Sequence, residues 1–263
     1  MSAIVTPVLI LSVMGLLGGL LLSAADHFMG VKADEKTAMV RECLPGANCG
    51  ACGFAGCDEY AAKAAAGEAA PNLCVPGGQK ASDEISQVLG LASSAVEEMR
   101  GMVACCGTQE TAQYVMDYQG PKSCRACNLF YQGRRSCPTG CLGYGDCVAA
   151  CSFGAIGVVN GIAAIDPAVC TGCGACAREC PNHIISMVPK KASYYVACSS
   201  HAKGAVVRKT CSAGCIGCGL CQRNCPSGAI TVTDNLASID QSKCTGCGIC
   251  AEKCPTKCIR KMA

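Results

Sequence analysis

Residues 210–255 read TCSAGCIGCGLCQRNCPSGAITVTDNLASIDQSKCTGCGICAEKCP. The stretch contains two consecutive C-x2-C-x2-C-x3-C-P runs. A cubane [4Fe-4S] cluster needs four thiolates, and in a pair of such runs the fourth cysteine of each ligates the cluster of the other. The spacing therefore predicts two iron–sulfur clusters tied into one small fold. The runs are Cys215, Cys218, Cys221, Cys225 and Cys244, Cys247, Cys250, Cys254.

The composition agrees with a fold that is built around metal. The 263 residues include 28 Cys and 31 Gly but no Trp, and only 4% are aromatic. Large side chains are thus scarce, and metal binding can supply folding free energy in their place. A disulfide framework suits short secreted chains, so it is not expected here. The net charge of +3 is spread along the chain and gives no reason to expect nucleic acid.

The chain begins with a segment that carries no charged side chain as far as Ala25, and Ile4–Leu22 is almost entirely apolar. About 20 such residues can span a bilayer as a helix, so we expect a transmembrane anchor within residues 1–28. A cleaved signal peptide is the alternative, but a basic n-region and an A-x-A site are missing. Lys32, Lys36 and Arg41 follow the span, which predicts that the remaining chain lies in the cytoplasm.

Residues 34–80 form a separate candidate module with a Gly-rich cysteine loop. Glycines at this spacing let the backbone wrap closely around a cluster and direct N–H groups at its sulfurs. A zinc site is the alternative, and Cys43 falls outside the pattern. The predicted [4Fe-4S] ligands are Cys49, Cys52, Cys57 and Cys74.

Residues 81–123 are expected to connect this module to the rest of the chain as a helical segment. Apolar residues from Ser82 to Val103 recur with helical spacing. Ser82 is a plausible N-cap, with Asp83 and Glu84 in the first turn.

The second half of the chain is an internal repeat, in which the text from Cys124 onward recurs from Cys198 onward. It predicts two ferredoxin-like units, at 124–190 and 191–263, with Asn160-Gly161 as a hairpin turn in the first. The expected fold class is α+β and multi-module: a transmembrane helix, a small α-rich 4Fe-4S module and tandem two-cluster ferredoxin-like units. Nine cysteines coincide, with Cys124, Cys137, Cys141, Cys147, Cys151, Cys170, Cys173, Cys176 and Cys180 over Cys198, Cys211, Cys215, Cys221, Cys225, Cys244, Cys247, Cys250 and Cys254.

The two copies differ where Cys218 corresponds to Tyr144, so the first copy lacks one standard ligand. Cys137 is the expected replacement; Asp146 and a three-iron cluster are alternatives. Five clusters then use 20 of the 28 cysteines. Beyond the first module, the sets are Cys137, Cys141, Cys147, Cys180; Cys151, Cys170, Cys173, Cys176; Cys215, Cys218, Cys221, Cys254; and Cys225, Cys244, Cys247, Cys250.

Some of the remaining cysteines suggest a sixth cluster. MVACCG around Cys105 and Cys106 resembles YVACSS around Cys198, and Cys211 is spare because Cys218 is present. The candidate ligands are one of Cys105 and Cys106, with Cys124, Cys198 and Cys211. Buried free thiols are the alternative.

Nothing in the sequence indicates substrate chemistry on this chain. No G-x-G-x-x-G follows a strand, the histidines His27, His183 and His201 are scattered, and no acid–base pair stands out. We therefore expect no catalytic residue and assign the chain to electron transfer.

An uncharged first span, LPGANCGACGFAGC, CPTGCLGYGDC and a tandem ferredoxin together resemble the B subunit of the Rnf complex, in its long anaerobe-type form. With GCLGYGDC as the family's own form of that loop, Tyr144 is no departure. The resemblance implies a membrane-bound ion-translocating ferredoxin:NAD⁺ oxidoreductase. This subunit would take electrons from soluble reduced ferredoxin and relay them to the membrane subunits, and flavin and nicotinamide chemistry would lie on other chains.

Two other functions compete with that interpretation: a membrane-anchored ferredoxin subunit of a hydrogenase or formate dehydrogenase, and a non-redox zinc-stabilised scaffold. Because ferredoxins are usually acidic, basic residues of the repeats are expected to receive the donor. They are Arg134, Arg135, Lys190, Lys191, Lys203, Arg208 and Lys209.

Overall fold

The computed structural model describes residues 2–29 and 35–262. The first helix, α1, is Ser2–Met29, with side chains described at residue 5 and from 8 to 24. In the part of the chain described, no helix is both long and apolar enough to cross a membrane. The single-pass anchor within residues 1–28 stays a prediction, and Lys32, used to orient it, lies outside the described residues.

The first cysteine module is built from three helices, α2 (Glu35–Glu42), α3 (Cys57–Ala65) and α4 (Gly78–Leu89). Their apolar faces meet around Val40, Tyr60 and Ile85, each at most 1% exposed. This small core brings the Gly-rich loop before α3 close to the segment before α4, and both carry cysteines.

The helix expected over Ser82–Val103 is wrong beyond Leu89. Gly90 adopts a left-handed conformation with φ of 68°, and its N–H returns to the last turn of α4, which ends the helix. Ser82 is not an N-cap, since it is buried inside α4 and its hydroxyl donates to the Ser94 carbonyl at 3.0 Å.

The segment after that point contains a strand, β1 (Met99–Val103), which pairs antiparallel with β4 (Ile185–Pro189) of the first ferredoxin-like unit. Apolar residues of the 82–103 stretch therefore serve a helix and a strand in succession. The connector is part of the first unit rather than a spacer beside it.

The internal repeat is reproduced in most elements. Two short helices, a hairpin and a final strand recur in each unit, and each begins at the repeat-equivalent residue. The first unit holds α5 (Cys124–Asn128), α6 (Asp146–Ala149), β2 (Ile156–Val159), β3 (Ile162–Ile165), α7 (Ala175–Glu179) and β4; the second holds β5 (Tyr194–Val196), α8 (Gly204–Thr210), α9 (Leu220–Arg223), β6 (Ile230–Thr233), β7 (Leu236–Ile239), α10 (Ile249–Lys253) and β8 (Ile259–Lys261).

The hairpin predicted at Asn160-Gly161 is confirmed. Strands β2 and β3 pair antiparallel, and the two turn residues have φ of 49° and 77°. Positive φ at both central positions is the two-residue turn that suits the twist of a hairpin. In the second unit Asp234 and Asn235 form the same turn between β6 and β7.

The edge strands β1 and β5 are structurally equivalent. Val103 pairs with Ile185 and Val196 pairs with Ile259, and these two partners are equivalent under the internal repeat. Cys105 and Cys198 each lie two residues beyond the end of these strands. The expected equivalence of Cys124 with Cys198 is thus wrong, and Cys105 is the true counterpart.

Candidate metal centres

In the first module, the thiols of Cys49, Cys52 and Cys57 lie near that of Cys74. Burial raises the pKa of the Cys74 thiol, a backbone hydrogen bond from Gly77 lowers it, and the nearby thiols of Cys57, Cys49 and Cys52 raise it again. The Cys57 N–H donates to Asn48 Oδ1 at 2.8 Å, which fixes the first turn of α3. Cys43 packs against the same small core, and its Sγ donates to the Met39 carbonyl within α2.

The first site of unit 1 is a cavity of about 330 Å³. Cys141, Cys147 and Cys180 line it as expected, and the fourth cysteine is Cys124. Burial and the neighbouring thiols raise the pKa of Cys147 to about 12. Cys137, the expected fourth ligand, does not line this cavity.

Asp146 explains how Cys124 reaches this cavity. Its carboxylate accepts from the Ser123 hydroxyl at 2.8 Å, from the Cys124 N–H at 2.8 Å and from the Arg125 N–H at 2.9 Å. These bonds cap the first turn of α5. Although burial raises the pKa of Asp146, the hydrogen bonds from Arg125, Cys124 and Ser123 bring it below its ordinary value. We infer that Asp146 orients a ligand instead of being one.

Tyr144 fills the place of a ligand without supplying a thiol. Its neighbours Gly143 and Gly145 have φ of 75° and 87°, as Gly217 and Gly219 do around Cys218, with 65° and 71°. The loop therefore keeps the same conformation in both units. The Tyr144 ring packs edge-on against Tyr118 and lies 4.6 Å below the Arg134 guanidinium carbon.

The second site of unit 1 brings together its four expected cysteines. Cys151, Cys170, Cys173 and Cys176 line one cavity of about 330 Å³. The Ala155 N–H donates to Cys151 Sγ, and the Gly101 N–H, from β1, donates to Cys170 Sγ, both at 3.4 Å. Backbone N–H groups directed at sulfur stabilise thiolates and bound clusters.

The first site of unit 2 contains an additional thiol, Cys258. It lies 3.6 Å from Cys254 Sγ, and its hydrogen bond lowers the pKa of Cys254 to about 4. Cys258 is the repeat equivalent of Ile184, and both are 2% exposed. It therefore occupies a packing position. The expected ligands Cys215, Cys218, Cys221 and Cys254 line the same cavity.

Three of the expected cysteines of the second site of unit 2 lie close together. The thiols of Cys244 and Cys247 lie close enough to raise the pKa of Cys250, after a larger effect of burial. Cys225 accepts a backbone hydrogen bond from Ala229, as its repeat equivalent Cys151 does from Ala155.

A further cavity lies between the two units. Cys105, Cys106, Cys198 and Cys211 line it, as the expected sixth site requires, but Cys137 lines it in place of Cys124. Cys124 and Cys137 thus each line the cavity at which the other was expected. Two features of the sequence indicate this arrangement. Ser123 is an N-cap residue that places Cys124 at the start of α5, and the segment VACC at Cys105 and Cys106 resembles VACS at Cys198.

The donor chemistry of these sites fits iron–sulfur clusters. Each quartet consists of cysteines, the soft donors that such clusters use. Within the described residues, no three His, Cys, Asp or Glu side chains are close enough to hold one metal ion. Three of the quartets, and the cysteines between the two units, lie instead around cavities. Together, thiol quartets on a duplicated two-cluster fold define an iron–sulfur protein of the electron-transfer class.

Comparison with known proteins gives the family. Residues 44–76 match the model of a putative Fe-S cluster, and residues 169–230 and 214–258 match 4Fe-4S dicluster domains. The chain is 40% identical to the B subunit of the Na⁺-translocating ferredoxin:NAD⁺ oxidoreductase complex of Acetobacterium woodii, over 92% of this chain and 73% of that one.

Two further relatives agree. Identity is 39% to the B subunit of the proton-translocating ferredoxin:NAD⁺ oxidoreductase complex of Clostridium ljungdahlii, over 92% of this chain and 86% of the relative. It is 38% to the B subunit of the ion-translocating oxidoreductase complex of Methanosarcina acetivorans, over 92% of each. The chain belongs to this family, the B subunits of Rnf complexes, which confirms the resemblance.

Proposed function

We propose that the chain is the iron–sulfur subunit that takes electrons from reduced ferredoxin and relays them to the membrane subunits of an Rnf complex. The observation that carries this is the grouping of thiols into separate quartets, three of which line cavities of their own. A [4Fe-4S] cluster supplies a site that gains and loses one electron. The chain's own residues hold the thiolates, exclude water and direct N–H groups at sulfur.

Five clusters are proposed with one change from the spacing-based sets, because Cys124 takes the place of Cys137. The placement of Cys124 by Asp146 supports this change. The sets are Cys49, Cys52, Cys57, Cys74; Cys124, Cys141, Cys147, Cys180; Cys151, Cys170, Cys173, Cys176; Cys215, Cys218, Cys221, Cys254; and Cys225, Cys244, Cys247, Cys250.

A contact between the first module and unit 1 supports electron passage between them. The Arg178 guanidinium, on α7, donates to the Cys49 carbonyl of the first module. It also donates to the Cys173 carbonyl, at 3.4 Å, in the second cysteine loop of unit 1. One side chain thus holds two cysteine loops from different modules next to each other.

The proposed location is the cytoplasmic side of the cell membrane, with α1 as the anchor and the other Rnf subunits as partners. The absence of charged side chains before Asp26 supports it, as does the exposure of Leu21 and Leu22, 71% and 74%. Apolar side chains exposed in this number need a non-aqueous cover. Digestion of inverted vesicles tests the orientation: the cysteine modules should be cleaved, and their protection would contradict it.

Ferredoxin is proposed to dock at α8 of unit 2. This helix borders the cavity between the units. Its N-cap residue is Lys203, and its last turn contains Arg208 and Lys209. The expectation that Arg135 receives ferredoxin is wrong, because only 3% of the surface of this residue is exposed.

Electron uptake by the anaerobically purified full-length chain tests the function. Reduced ferredoxin should bleach its broad visible absorbance, and dithionite should bleach it to the same extent. A chain that holds zinc and no iron would overturn the proposal. Iron without uptake from ferredoxin would overturn the assigned donor.

A further inference from the structure

The cavity between the two units belongs to none of the five proposed clusters. Besides its cysteines it is lined by backbone of both units and by the buried side chains of Arg135 and Val207. It lies where the first and second ferredoxin-like units meet.

The thiols around this cavity come in equivalent pairs, one from each unit. Cys105 and Cys198 each follow an edge strand, and the strands pair in the same register with β4 and β8. The Ala104 and Ala197 N–H groups donate to the Ile184 and Cys258 carbonyls, both at 2.7 Å. The second pair, Cys137 and Cys211, is related by the internal repeat.

Hydrogen bonds distinguish Cys105 from its neighbour. Cys105 Sγ accepts from the Cys141 N–H at 3.3 Å, and Cys198 is hydrogen-bonded in the same way by the backbone of Cys215. Cys106 is 2% exposed, and its Sγ donates to the Ala213 carbonyl at 3.1 Å. The Cys105 thiol thus accepts a backbone hydrogen bond, as that of the proposed cluster ligand Cys151 does. The Cys106 thiol instead donates a hydrogen bond and is buried in the core.

A short segment joins the loops that carry the second pair. The Gln113 N–H donates to the Thr210 carbonyl, and the Gln113 carbonyl accepts from the Ser136 N–H, both at 2.9 Å. Thr210 and Ser136 directly precede Cys211 and Cys137. Gln113 therefore holds the two cysteine loops on either side of one extended segment.

Arg135 adds an electrostatic reason for a negative group in this cavity. It is 3% exposed and lines the cavity. Its guanidinium donates to the carbonyls of Gly107 and Gly161, the latter at 2.8 Å. No ion pair of Arg135 occurs among the described residues. A buried cation without a counter-charge is costly, and a cluster held by four thiolates carries net negative charge.

We propose a sixth [4Fe-4S] site, held by Cys105, Cys137, Cys198 and Cys211, that bridges the two ferredoxin-like units. The proposal rests on the proposed function, since it assumes that the chain binds such clusters. The Cys105 thiol accepts a hydrogen bond from the backbone of Cys141, and the Cys198 thiol accepts one from the backbone of Cys215. The site therefore lies between the first site of unit 1 and the first site of unit 2.

Iron content tests the proposal on the full-length chain, purified anaerobically. We expect about 24 irons per wild-type chain, where five clusters would give about 20. Cys105→Ala/Cys211→Ala removes one ligand from each unit and should lose about four irons, together with one component of the reduced EPR spectrum. Cys43→Ala/Cys127→Ala is the matched control: neither thiol lines any of these cavities, and the full iron content should remain.

If the four cysteines hold one cluster, the iron losses caused by the two double substitutions should not add. Cys137→Ala/Cys198→Ala should lose the same EPR component, and combining all four substitutions should remove no further iron. A wild-type content of about 20 irons overturns the sixth site while leaving the proposed function intact, and it requires no variant to fold. Loss of the same component in the control double variant also overturns the ligand assignment. Absence of iron altogether would overturn the proposed function itself.

Discussion

The missing thiol in one loop coincides with an unexpected placement of two cysteines elsewhere in the chain. Tyr144 replaces the thiol that Cys218 supplies in the other unit, and Cys124 enters the cavity from α5. Cys137 is then available between the units. Sequence spacing predicts the three remaining ligands of this site, because they lie in fixed motifs. It cannot predict the fourth, since Cys124 is placed by the Asp146 cap, a contact between residues 22 apart.

A thiol introduced at residue 144 should be able to replace the thiol of Cys124. Cys124→Ala should lose the cluster at Cys141, Cys147 and Cys180, whereas Cys124→Ala/Tyr144→Cys should recover it. The reason is that the loop around residue 144 has the backbone conformation of the loop around Cys218. Iron content and the EPR spectrum measure both states.

Cys127 provides the matched control, because it lies on the same helix and is fully buried but does not line that cavity. Cys127→Ala should keep the cluster. Failure of Tyr144→Cys to restore iron in the Cys124→Ala background would contradict the assignment of Cys124.

At the scale of elements, turn chemistry was more predictive than apolar spacing. Asn160-Gly161 specifies a two-residue turn by itself, and the hairpin is present in the structure. The apolar residues from Ser82 to Val103 fit helical spacing throughout, yet the last of them form β1. Their strand conformation depends on pairing with β4, which follows only after the whole first hairpin and α7. Local periodicity does not contain that partner.

The hairpin turn should depend on Gly161 through its backbone conformation. Gly161→Ala places a side chain at φ of 77°, with its Cβ 2.6 Å from Gln109 Cγ. We expect a loss of about 1 kcal/mol of unfolding free energy, measured as a lower denaturant midpoint under anaerobic conditions.

Gly157→Ala, in the adjoining strand, is the control. No atom lies within 4 Å of its added Cβ, so stability should be unchanged or slightly raised. Equal midpoints for the two variants would show that the turn tolerates a side chain at residue 161.

At the scale of the whole molecule, the first module and the two units are separate cores that touch at specific contacts. Arg178 reaches the Cys49 carbonyl, but no cysteine of the first module lines the described cavities of the units. Cys74→Ala should therefore lose about four irons and leave the other clusters in place, as seen by EPR.

Cys43→Ala tests whether that loss is specific to the cluster. Cys43 belongs to the same module, but its thiol donates a hydrogen bond to the Met39 carbonyl. Iron content should therefore not change. Loss of every cluster in Cys74→Ala would mean that the modules fold as one unit.

The charge on α8 should govern the encounter with ferredoxin. Its association rate should fall roughly tenfold from low to physiological ionic strength. Lys203→Gln/Arg208→Gln/Lys209→Gln should flatten that dependence, measured by stopped-flow reduction of the chain. Lys190→Gln is the control, since Lys190 already pairs with Glu98 at 2.9 Å. A rate indifferent to salt in the wild-type chain would exclude this docking mode.

The pairing of Cys105 with Cys198 and of Cys137 with Cys211 has an evolutionary consequence. Each ferredoxin-like unit contributes half of the proposed bridging site. An ancestor with a single unit would have carried two of the four thiols, enough for a cluster only when two copies associated. Duplication of the unit within one gene would then have made an intermolecular cluster permanent.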